Sequence, residues 1–103
     1  MKKYKKLVRD KIPDIIESRG KKTVVRVLDD KEYLEQLMEK LCEEVDEFDQ
    51  DRSVEEMADI LEVLMALAET LGIKQSELKA VRDKKATERG KFKKRLFLEK
   101  VEE

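Results

Sequence analysis

The sequence predicts an all-α fold: an antiparallel helical hairpin completing a four-helix bundle by oligomerisation, with a short extended N-terminal segment. Three observations predict it. Apolar residues recur at helical spacing in two series, Leu34, Leu37, Met38, Leu41, Val45 and Phe48, then Met57, Ile60, Leu61, Leu64, Met65, Leu67, Ala68 and Leu71. Only the polar turn Asp49-Gln50-Asp51-Arg52 separates them, so the two helices are expected to be antiparallel neighbours. A lone pair of amphipathic helices covers its apolar faces poorly, and a second hairpin from another copy completes the bundle as a homodimer or higher homo-oligomer.

Taken in order, residues 1–11 are basic and irregular, with Tyr4, Leu7 and Val8 as apolar anchors. Pro13 suits the first turn of a short helix, about 13–18, that stops at Gly20. The β-branched run Lys22 to Leu28 reads as a strand or extended arm. Asp29 or Asp30 caps a helix over about 31–49. Ser53, with Glu56 three residues later, forms a capping box for a helix over about 54–71, the most buried of the chain. Ala58, Ala66 and Ala68 allow close contact along it. Gln75 or Ser76 starts a last helix that ends near Gly90, and the tail from Phe92 to Val101 is apolar enough to pack.

With 103 residues, a single domain over 1–103 is expected. Charged residues make up 48% of the chain, a level that would suggest disorder if the apolar residues were not so periodic. Net charge is −1 but unevenly spread. Residues 1–28 hold ten Lys/Arg against three Asp/Glu, residues 29–69 three against sixteen, and residues 74–100 eleven against four. An acidic middle between basic ends suits metal-bound polyphosphate, with carboxylates on the cation and Lys/Arg on the phosphates.

The chain has no histidine, which excludes Ser-His-Asp, Cys-His and His-ligated zinc chemistry. Its one cysteine, Cys42, permits no intramolecular disulfide and is expected to be partly buried. No apolar leader follows Met1 and no apolar run could span a membrane, so a cytoplasmic protein is expected. Aromatic residues are only 5%, and with the acidic middle this argues against a nucleic-acid partner for the basic ends.

The chemistry concentrates between Lys40 and Glu62. Glu44 with Glu47, and Glu56 with Asp59, are acidic pairs at i, i+3, so each pair shares one side of its helix. An acidic pair on a helix usually marks a solvated face. Here both pairs flank an apolar stripe, both lie near one tight turn, and Asp59 interrupts an apolar run. Folding the hairpin would bring four carboxylates together, and they would need a counter-charge. A hard divalent cation, Mg²⁺ or alternatively Mn²⁺, suits an all-oxygen site. Glu56 is claimed either by this cluster or by its capping box.

The segments Lys40-Leu41-Cys42-Glu43-Glu44-Val45-Asp46-Glu47 and Glu55-Glu56-Met57-Ala58-Asp59-Ile60-Leu61 resemble the ExxE…ExxD signature of the all-α nucleoside triphosphate pyrophosphohydrolases. This is the MazG-like superfamily, which includes dimeric dUTPases and phosphoribosyl-ATP pyrophosphohydrolase. Tyr4-Lys-Lys-Leu-Val-Arg-Asp-Lys-Ile-Pro13 and Glu88-Arg-Gly-Lys-Phe92 resemble one small bacterial and archaeal branch of house-cleaning enzymes. Eight residues separate Glu47 from Glu56, a shorter gap than is usual there, which speaks against a long insert lining a base pocket.

The resemblance implies Mg²⁺-dependent hydrolysis of a nucleoside triphosphate, non-canonical ones included, between the α- and β-phosphates, giving the monophosphate and pyrophosphate. It implies a cation held by Glu44, Glu47, Glu56 and Asp59, with Glu43 or Glu44 orienting the attacking water. Lys84, Lys85, Arg89, Arg9 and Lys11 are the candidates for holding the polyphosphate. The alternatives are phosphoribosyl-ATP hydrolysis in histidine biosynthesis and a non-catalytic helical interaction module.

Overall fold

The structure, a computed structural model, describes residues 5–103. Its regular elements are four helices, and no strand occurs among the described residues. The chain divides into two compact units, Met1–Gly72 and Ile73–Glu103. Tyr4, expected as an apolar anchor, lies outside the described residues.

In the first unit, α1 (Ile12–Ser18) begins with Pro13 in its opening turn, where a missing N–H costs nothing. Gly20, at φ 82°, takes the left-handed conformation just beyond it. Residues 21–29 follow without helix or strand, so of the two readings of 22–28, strand or extended arm, the strand is not formed. Val24 and Val27 are fully exposed there. A β-branched run gives strand propensity but needs a neighbouring strand to bond, and none occurs among the described residues.

The hairpin is formed by α2 (Asp30–Gln50) and α3 (Val54–Thr70). Asp29 caps α2 by accepting from the Glu32 N–H at 2.8 Å, and Ser53 caps α3 by accepting from the Glu56 N–H at 3.2 Å. The two helices pack antiparallel around Leu37, Val63 and Leu67, with Leu34, Leu41 and Ala66 against them. Leu7 and Tyr33 close this cluster, so the N-terminal arm is held by the hairpin's own core.

At 100° per residue, each helix has two flanks beside its buried line. Lys40, Glu44 and Glu47 of α2 and Asp59 and Glu62 of α3 share one flank of the hairpin. The other flank is apolar and uncovered. Val54, Met57, Leu61, Leu64 and Leu71 of α3 run along it at 41–75% exposure, beside Met38 and Val45 of α2. Cys42 is exposed, contrary to expectation. Five residues on from Leu37, it is turned well away from the core line.

The second unit contains α4 (Gln75–Arg89), which has no buried residue and ends at Gly90 with φ 83°. The tail expected to pack does not: Phe92, Leu96, Phe97, Leu98 and Val101 are 75–96% exposed. No helix among the described residues is long and apolar enough to cross a membrane.

Candidate metal centre

The site is set by helix register. Glu44 lies two turns along α2 from Leu37 and so stays near the buried line. Its side chain is only 6% exposed. Glu56 and Asp59 sit one turn apart at the start of α3, opposite it across the hairpin. One carboxylate oxygen from each of Glu44, Glu56 and Asp59 lies within 4.8 Å of the others.

The second oxygens sharpen the picture. Glu44 Oε2 and Glu56 Oε2 are both buried without a hydrogen-bond partner. An unpaired buried carboxylate oxygen is costly, and these two belong to residues whose carboxylates cluster, so the place could hold a cation. Burial pushes the Glu44 carboxyl above its ordinary pKa, and the nearby Glu47 carboxyl adds to that rise. Lys40, one turn back on α2, offsets part of it from 3.3 Å. That ammonium lies beside Oε1 and leaves Glu44 Oε2 and Glu56 Oε2 without a partner.

The capping box is only half made. The Ser53 N–H donates to the Asp51 carbonyl at 2.8 Å rather than to Glu56. The Glu56 side chain is therefore free of the cap and turned to the cluster. Of the four expected ligands, Glu44, Glu56 and Asp59 come together, while Glu47 lies beside Glu44 on an exposed position outside the trio. Glu43 is half-buried, with Lys6 at 3.3 Å and Lys40 at 3.6 Å from its Oε1.

The basic candidates divide. Arg9 reaches the cluster directly: its Nη2 lies 2.6 Å from Asp59 Oδ1. Lys11 is exposed at the N-terminal boundary of α1. Lys84, Lys85 and Arg89 are exposed on α4, in the second unit, and Lys84 has Glu88 at 3.9 Å. Two contacts were not foreseen. Lys40 with Glu44 is readable from i, i+4 spacing. Arg9 with Asp59 spans fifty residues, and no local pattern announces it.

Beside the trio opens a groove of about 440 Å³. Residues 7–10 of the arm line it, with Tyr33, Leu37, Lys40 and Glu44 of α2 and Asp59, Glu62, Val63, Ala66 and Glu69 of α3. In helix register the acids stand at one end and Tyr33 about 16 Å away. The groove therefore runs from the acid cluster, past Leu37, Val63 and Ala66, to an end with Tyr33 and Glu69. No family model matches the chain, and neither a curated protein nor a solved structure matches it.

Proposed function

We propose that the chain is a divalent-cation-dependent nucleoside triphosphate pyrophosphohydrolase of the MazG-like type, acting in cytoplasmic house-cleaning. One observation carries the reading. Three carboxylates from two helices meet within 4.8 Å, and two of them keep buried oxygens with no partner. Oxygen-only donors with surplus negative charge match Mg²⁺ or Mn²⁺. Glu44, Glu56 and Asp59 would hold the ion, with Glu47 beside them. When bound, it would supply charge for the phosphate oxygens and acidity for a water.

The chain's own residues do the rest. Glu43 or Glu44 takes the proton of the attacking water. Arg9 and Lys11 carry positive charge toward the polyphosphate. Tyr33 and the apolar wall of Leu37, Val63 and Ala66 give the nucleoside a surface that excludes water. The products are a nucleoside monophosphate and pyrophosphate.

A second copy is part of the same proposal. The uncovered stripe of α3 runs Val54, Met57, Leu61, Leu64 with steps of three, four and three, the spacing of a helix–helix seam. It lies on the flank opposite the acids, so two hairpins can join there and leave both grooves open. Sedimentation should show a homodimer or larger, and Leu61→Glu should shift it toward monomer.

The deciding experiment is a panel of standard and damaged nucleoside triphosphates assayed for pyrophosphate release with Mg²⁺ and with chelator. Release that requires the cation supports the proposal. No release from any nucleotide, at protein concentrations approaching those of the substrates, overturns it.

A further inference from the structure

The arm crosses the hairpin at the level of the acids, and two ion pairs among the described residues tie it there. Lys6 reaches Glu43 on α2 at 3.3 Å, and Arg9 reaches Asp59 on α3 at 2.6 Å. Between them Leu7 packs on the core cluster. Residues 7–10 thereby form one wall of the groove. The Arg9 guanidinium already neutralises one of the three clustered carboxylates. Glu44, with its side chain 6% exposed, has Lys40 at 3.3 Å from Oε1, but its Oε2 has no partner at the same spot. Arg9 and Asp59 are both partly open to water, at 57% and 37% side-chain exposure. A pair so exposed is held weakly and exchanges readily.

We infer that Arg9 is an exchangeable counter-cation of the cluster, displaced from Asp59 by an incoming divalent ion and taken up by the polyphosphate that ion carries. The inference rests on the proposed cation site. Its physical content is a coupling between two ligands. A bare cation must compete with Arg9 for Asp59 and leaves the guanidinium without a partner. A cation bearing polyphosphate brings the replacement partner with it. The site then favours the cation–polyphosphate complex over the free ion, with reciprocal coupling between the two. The guanidinium suits this exchange because its fork bonds carboxylate and phosphate equally well.

The test is a pair of calorimetric titrations on wild type and Arg9→Gln, with Mn²⁺ alone and with preformed Mn²⁺–tripolyphosphate. The inorganic chain removes any contribution of a base. Arg9→Gln should bind Mn²⁺ about tenfold tighter and the complex about tenfold weaker, within the usual range of coupling between sites. The opposite signs are the signature, because a merely structural role for Arg9 would weaken both. Arg9→Lys, which keeps the charge without the fork, should move each affinity the same way by less, and it serves if Arg9→Gln fails to keep its helical circular dichroism. Equal affinities in wild type and Arg9→Gln, or two changes of the same sign, overturn the exchange and leave the cation site standing. A wild type that binds neither Mn²⁺ nor its complex overturns both.

Discussion

Glu44 and Asp49 stand five residues apart on α2, and their surroundings could hardly differ more. Asp49 is three-quarters exposed and pairs with Arg52 at 3.0 Å beside the turn. Glu44 is buried, with an unpartnered oxygen and two further carboxylates within 4.8 Å. Five residues turn a helix by about 140°, enough to carry an acid from the core's edge into water. Proximity to the turn is therefore not what makes a site of these acids; the flank they occupy is. The inner acids are held where carboxylates are costly, which is the signature of a group kept for binding rather than for stability.

That contrast breaks most visibly in activity. Asp59→Asn should lower pyrophosphate release by about a thousandfold, the scale of losing an electrostatic contact to the reacting phosphate, while Asp49→Asn should stay within about twofold of wild type. A coupled phosphate assay reads both, and equal losses would erase the distinction between inner and outer acids. Next in size is the response to cation. Mg²⁺ or Mn²⁺ at a hundred times its Kd should raise the unfolding free energy by about 2.7 kcal/mol in urea melts. Glu44→Gln should abolish that gain and Asp49→Asn should keep it.

In chelator the sign for Glu44 reverses. Glu44→Gln should stabilise the metal-free protein by about 1 kcal/mol, because an amide can donate to neighbouring carboxylates that a carboxylate only repels. The pH dependence follows from the raised pKa of Glu44, which burial causes. The folded state binds a proton there over a window, starting near the ordinary 4.5, in which the unfolded chain has released it. Stability of the metal-free wild type should therefore fall as pH rises through that window, and Glu44→Gln should flatten the fall. Smallest of all, Arg52→Ala should cost about 0.5 kcal/mol or less, since its pair with Asp49 is solvated.

Much of this was legible in the chain. The α2 and α3 boundaries follow from 3.6-residue periodicity and from the Asp29 and Ser53 caps, which are local. Glu44, Glu56 and Asp59 were legible because two short-range spacings flank one turn. Three features were not. The run 22–28 has strand propensity and no strand to meet among the described residues. Residues 92–101 have apolar side chains, but hydrophobicity alone does not say what will cover them. The Arg9–Asp59 pair depends on where Leu7 anchors the arm, a long-range packing event without a sequence period. Glu56 shows the same limit from the other side: Ser-x-x-Glu spacing fits a complete box, yet the Asp51 carbonyl takes the Ser53 N–H and leaves Glu56 for the cluster.

The most direct measurement is an anomalous difference map from crystals grown with Mn²⁺. The predicted result is a peak about 2 Å from carboxylate oxygens of Glu44, Glu56 and Asp59, the distance small hard cations adopt, lost in Asp59→Asn. Saturating Mn²⁺ that leaves this position without a peak, or that orders instead at Asp49 and Asp51, would contradict the assignment of the inner carboxylates as a metal centre.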